Sequence, residues 1–448
     1  MTQPFRFWLQ TFLVACTAIV SFNLPLHAAM KVDITQGVIS PIPIAITNFH
    51  SADGSEQMAR MGQEIAGVVS KDLENCGLFR PLDPRSFVQT KIALETTPRF
   101  ADWRILNGQA LVIGRVSQSG NGNLTLEFRL FDVFAEAQIE GLAFTAQPGD
   151  WRRIGHKIAD AIYKRLTGEE GYFDSRIVYV AEAQRGTRRI TRLAIMDQDG
   201  ANHRYLSDGA TLVMTPRFSP NLHLIAYMDY GTRKQPRVYL MNPHTGQKQM
   251  LGHFPDMTFA PRFGPDGQTV IMSMAQGGNS SLFSMNLAHK TVARLTNVAA
   301  IDTSPCFSPD GHQLVFNSDR DGSRQLYVMN LSEGVARRIS FGGGMYAAPV
   351  WSPRGDWITF IKKEQGMFYL GVMKPDGTGE RLLTQGFVLD NPTWSPNGRV
   401  IMFERQTPAG KRAGVRKQLF SIDLTGYNER QLPTPGDASG PAWSPLIP

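Results

Sequence analysis

Leu124, Leu126, Phe128 and Leu130 alternate with Thr125, Glu127 and Arg129, and this period of two predicts a strand with one face buried. Upstream, Met61, Ile65, Val68, Val69 and Leu73 recur at helical spacing, which predicts a helix over residues 57–76 ending at Gly77. Ile42 to Ile46 and Ala110 to Val116 read as buried strands, and Trp151 to Leu166 as a basic amphipathic helix whose Lys157, Lys164 and Arg165 form its solvated side. Helices and strands are interleaved, so residues 41–168 are expected to form an α/β domain, followed by a linker at 169–174.

Beyond residue 175 the pattern changes to a repeat. Pro-x-aromatic, most often followed by Ser-Pro, begins at Pro216, Pro261, Pro305, Pro349, Pro392 and Pro441, with spacings of 45, 44, 44, 43 and 49 residues. A period in the forties belongs to propeller blades or helical repeats, and prolines at this density exclude helical hairpins. Each of the first five units continues with a large apolar residue eleven after the proline, then a strand such as Leu326-Tyr327-Val328-Met329-Asn330 that ends in a turn. The copy at Leu193 to Asp197 has no opening strand before it, and the copy at Pro441 has no strands after it. Joining the two completes a sixth blade, so residues 175–448 are read as a six-bladed β-propeller closed by strands from both ends of the ring.

The 448 residues suit about two or three domains. Residues 1–28 read as a secretory signal, with Arg6, an apolar stretch and Leu26-His27-Ala28-Ala29 as the small-residue cleavage site. Leu13-Val14-Ala15-Cys16 has the form of a lipoprotein site, but the sequence stays apolar to Leu26, which favours the ordinary signal and a mature chain with no transmembrane segment. Cys76 and Cys306 are too few for a disulfide framework, and Cys306 is expected to be a buried thiol. The net charge of +7, in an exported protein, points to acidic proteins or anionic lipids and not to nucleic acid.

Catalytic and cofactor signatures are missing: the sequence has no Gly-x-Ser-x-Gly elbow, His-Glu-x-x-His, phosphate loop or dinucleotide fingerprint. His223, His244, His289 and His312 fall in turns scattered around the ring, and Asp197-Gln198-Asp199-Gly200 is read as a hairpin turn in place of a calcium loop, so no metal, cofactor or catalytic residue is assigned. Loops between the second and third strands of the blades are rich in Arg and Lys. Arg188, Arg233, Arg324, Lys363 and Arg416 are therefore expected on one basic face of the disc, the face that also carries the segments preceding each repeat proline.

The leader, small α/β domain, six Pro-x-aromatic repeats and terminal Pro441-Ala442-Trp443-Ser444-Pro445 together resemble the TolB family of periplasmic translocation proteins of the Tol-Pal system. The resemblance implies a monomeric, non-enzymatic periplasmic adaptor. Its implied partners are the peptidoglycan-associated lipoprotein Pal, the C-terminal domain of TolA and other outer-membrane lipoproteins, and its role outer-membrane constriction at division. Matching the segments before the repeat prolines carries over Met257, Ala260 and Thr303 as Pal contacts, and ring geometry adds Tyr346 and Asp390. The TolA-binding segment corresponds to residues 29–40, where Lys31, Val32, Asp33 and Ile34 alternate as an added strand would. The alternatives are a glycan- or lipid-binding propeller and, more remotely, an enzyme at the channel mouth using His253, Asp256, Asp302 or Asp390.

Overall fold

A computed structural model describes residues 40–448 except Thr187, residues 232–235, His253, residues 255–256 and residues 410–413. The expected leader at 1–28, Lys31, Val32, Asp33 and Ile34, Arg233, His253 and Asp256 lie outside the described residues.

The first domain is built on β1 (Ile42–Ile46), β2 (His50–Ser51), β3 (Phe79–Pro81), β4 (Ala110–Gln118), β5 (Leu124–Asp132) and β6 (Ala137–Ala146). The sheet runs β3-β1-β4-β5-β6, parallel through its first three strands and antiparallel through the last three, with β2 pairing β4. Helix α1 (Glu56–Asn75) starts at Ser55, whose hydroxyl caps the Met58 amide, and α3 (Trp151–Thr167) ends at Gly168 in the left-handed conformation, φ 79°. Both helices cover one sheet face, while α2 (Phe100–Ile105) and the Phe87–Leu94 segment cover the other. β3 and β6 carry no clear signal in the sequence: β3 is three residues long and contains Pro81, and most of β6 is exposed, so neither offers a clean alternation.

Six four-stranded antiparallel sheets follow, and the chain forms a six-bladed propeller. In the sixth blade the C-terminal strand Asp437–Trp443 is innermost and pairs with Arg176–Arg185, which is followed by Arg188–Asp197 and Arg204–Tyr205. One continuous apolar core joins α1 and α3 to Tyr172, Phe173, Met402, Leu419 and Trp443 of the linker and the last two blades. Because the two domains share buried side chains, the first is anchored to one side of the disc. Asn428 donates to the Asn75 carbonyl at 2.8 Å, Asn397 to the Glu170 carbonyl at 2.8 Å, and Arg354 pairs with Glu169 at 2.8 Å. These propeller groups sit in turns after the first or third strand of a blade, so the face carrying the segments before the repeat prolines is left uncovered by the described residues of the first domain.

Candidate functional site

The uncovered face repeats one backbone device six times. The residue before each repeat proline has a left-handed φ: Thr215 48°, Ala260 51°, Ser304 55°, Ala348 49°, Asn391 52° and Gly440 56°. A register shift accompanies each, as between Phe259 and Arg262 or Asp390 and Thr393. These are β-bulges on the innermost strands, and the five non-glycine residues each hold strain of roughly 1 kcal/mol. The bulge turns the residue after the proline into the channel and leaves the preceding residues on the rim.

Along that rim, exposure depends on distance from the proline. Four residues before it stand Leu212, Met257, Ile301 and Met345, which are 36%, 46%, 41% and 44% exposed in successive blades. The next residue in each blade, Val213, Thr258, Asp302, Tyr346, Leu389 and Ala438, is buried throughout. Met214, Phe341 and Phe387 extend the apolar surface around the same side. Scattered exposed hydrophobics are ordinary on any surface, but here one repeat position is kept large, apolar and exposed over four successive blades.

Met257, Ala260 and Thr303 are accessible at this rim, with Thr303 Oγ1 accepting a 2.6 Å bond from Asn317. Tyr346 is not a surface contact. Its side chain is buried against Phe360, and its hydroxyl donates to Glu380 at 2.9 Å. Burial, reinforced by Glu380, pushes that hydroxyl up to about 12. Strand alternation points Tyr346 inward and Met345 outward, so Met345 replaces it at the rim.

Asp390 is half-buried in a mouth cavity of about 200 Å³ shared with Glu182, Glu404, Lys417 and Ser439. Burial raises Asp390 against the pull of the Asn391 amide, Arg217, Lys417 and Arg324, and burial likewise raises Glu404, with Asp390 adding to it.

The expected basic face is only partly realised. Arg188, Arg324, Lys363 and Arg416 are exposed. Their neighbours are neutralised: Arg320 pairs with buried Asp302 at 3.0 Å, Lys362 with Glu364 at 3.2 Å, and Lys417 with Glu182 at 3.0 Å. The face is thus an apolar arc with separated basic residues at its edge.

A second polar centre lies between the domains. His156 on α3 and Asp72 on α1, 1% and 0% exposed, share a 2.6 Å bond through Nδ1, and Gln198 of the sixth blade donates to the other Asp72 oxygen at 2.7 Å. The turn at Asp197 to Gly200 is a hairpin turn closed by a 2.9 Å bond, but it is also part of this junction, which the sequence did not signal. Donor atoms of His156, Asp197 and Asp199 lie within 4.8 Å of one another, close enough for one metal ion. Positive charge is already supplied there by Arg152, which pairs with Asp199 and approaches Asp197 to 4.0 Å. Burial pulls His156 down, but Asp72, then Asp199 and Asp197, more than reverse this and hold it up at about 9.

This junction carries a pH prediction. A folded value near 9 against an ordinary 6.5 means that the stabilisation is complete below pH 6.5 and lost as pH rises through 9. Asp160, raised by burial to about 7, titrates inside this window and adds a further loss that is common to the parent and to a His156 variant. Urea unfolding at the two ends of the His156 window should show a loss on the order of 2 kcal/mol for the parent, and a much flatter response for His156→Asn. Parallel pH profiles for the two proteins would contradict the assignment.

Residues 163–447 match the family description TolB beta propeller domain, and residues 30–139 match TolB amino-terminal domain. The chain is 53% identical over 430 residues to the Tol-Pal system protein TolB of Paramagnetospirillum magneticum, covering 96% of each chain. It is 45% identical over 434 residues to the Tol-Pal system protein TolB of Rickettsia bellii, covering 95% of this chain and 97% of that one. The crystal structure of TolB from Acinetobacter baumannii superposes with a TM-score of 0.80 at 26% identity, over 93% of this chain and 100% of that one. With both domains matched and this identity along nearly its whole length, the chain belongs to the TolB family.

Proposed function

We propose that this protein is a non-enzymatic periplasmic adaptor of the Tol-Pal system. It binds Pal through the uncovered propeller face and the C-terminal domain of TolA through residues 29–40, and supports outer-membrane integrity and constriction at cell division. The observation that carries the reading is the arc of Leu212, Met257, Ile301 and Met345, exposed and apolar at one repeat position on the face opposite the first domain. A ring of strained bulges beneath it presents these side chains on a rigid support, which lowers the ordering cost of docking. Curated relatives that share nearly the whole chain are named as Tol-Pal system proteins, in keeping with this role. Among the described residues no helix is long and apolar enough to cross a membrane.

Calorimetric titration of the purified protein with Pal and, separately, with the TolA domain tests the adaptor reading. Both are expected to bind, and deletion of residues 1–40 is expected to abolish TolA binding while Pal binding persists. Retention of TolA binding after the deletion would remove residues 29–40 from the account.

A further inference from the structure

Each bulge delivers one side chain, the x of Pro-x-aromatic, to the channel wall. Around the ring these are Arg217, Arg262, Cys306, Val350, Thr393 and Ala442, and all six line a single cavity of about 390 Å³. The ring therefore contains two arginines in adjacent blades and no carboxylate. We propose that the channel holds a binding site for a small free oxyanion of the phosphate or sulfate type, gripped between Arg217 and Arg262.

The geometry supports this in three ways. Nη1 of Arg217 donates to the Pro216 carbonyl at 2.7 Å and the Pro441 carbonyl at 3.2 Å, which fixes the guanidinium while leaving its remaining donors for a ligand. Neither guanidinium forms an ion pair with a carboxylate among the described residues. Burial, and then the like charge of Arg262, push Arg217 down to about 9, while Cys306 and then Asp390 act in the opposite direction. Two cations confined in a cavity repel each other, and an oxyanion between them would relieve the repulsion while accepting bonds from the planar guanidinium forks. The cavity has room for the ion together with several waters. The site is separate from the docking arc, because its ligands lie inside the ring and not on the rim.

The test is thermal unfolding and calorimetry of the purified protein with inorganic phosphate, against chloride at matched ionic strength. Phosphate is expected to raise Tm and to give a saturable binding isotherm, while chloride does neither. Arg262→Gln and Arg217→Gln should each weaken phosphate binding roughly tenfold or more, since each removes a charged donor. Arg262→Gln is also expected to keep or raise Tm in chloride, because it removes a like charge; a purely structural arginine would lower it. Should Arg217→Gln fail to fold through loss of its two carbonyl bonds, Arg262→Gln decides alone. Equal effects of phosphate and chloride on the parent, or undiminished phosphate binding by Arg262→Gln, would overturn the proposal.

Discussion

Removing residues 437–448 is expected to abolish cooperative folding of the propeller, an effect larger than that of any single substitution. The deleted strand is the innermost of the sixth blade and pairs with Arg176–Arg185 from Asp437 to Trp443. Its loss leaves the sixth blade a strand short and exposes the backbone edge of Arg176–Arg185 that it had paired. The segment also ties separate parts together. Trp443 Nε1 donates to Ser175 Oγ at 2.8 Å, its ring meets Tyr172 edge-on at 5.7 Å, and its amide donates to Thr393 Oγ1 of the fifth blade at 3.2 Å. Farther on, the Ile447 amide donates to the Asp174 carbonyl at 2.9 Å, and Arg153 of α3 donates to the Pro448 carbonyl at 3.0 Å. Domain stabilities are about 5–15 kcal/mol, so losing a whole core strand exceeds what such a domain can absorb. The single change Trp443→Ala removes only the buried indole, 6% exposed, and should cost about 3–5 kcal/mol while leaving the strand in place. Denaturant unfolding of both variants checks this. A truncated protein that still unfolds cooperatively with a midpoint near the parent's would contradict the closure argument.

The ring was legible because its information is repeated. A proline, an aromatic two residues later and a Gly turn recur six times, and the orphan Pro441 unit pairs with the orphan strand at Arg176, as the structure shows. The bulges were not legible, since nothing local in Thr215, Ala260, Ser304, Ala348 or Asn391 announces a left-handed residue; only aligning the repeats on their prolines brings these positions together. The same alignment would have placed Met345 with Met257 and kept Tyr346 out of the surface set, because alternation within Met345–Trp351 puts Tyr346 with the buried Val213, Thr258 and Asp302. Charge misled for a related reason. The linear pattern of basic loops does not reveal the acidic residues that fold back on them: Arg320, Lys362 and Lys417 meet Asp302, Glu364 and Glu182 in the folded ring. The His156 junction lay beyond any local signal, since Asp72, His156 and Gln198 are distant in sequence and meet only when the first domain docks.

The apolar arc leads to the second large expected effect. A carboxylate placed at Met257, exposed enough for the fold to tolerate it, would sit unpaired in any apolar contact made there. An arginine at Ala260 adds bulk at the same mouth, where a Cβ is already accommodated at φ 51°, so it introduces no new backbone strain. Together Met257→Glu and Ala260→Arg are expected to weaken Pal binding by about a hundredfold or more, the scale of a lost interface hot spot, with Tm nearly unchanged. Thr303 is left intact in this variant because its bond to Asn317 gives it a structural role that would confuse the result.

The most direct measurement is therefore a calorimetric titration of purified Pal into the parent and into the Met257→Glu, Ala260→Arg variant, each first shown to be folded by its thermal transition. The account predicts saturable binding by the parent and a loss of about two orders of magnitude in the variant. A folded variant that binds Pal as tightly as the parent, or a folded parent that does not bind Pal, would contradict it.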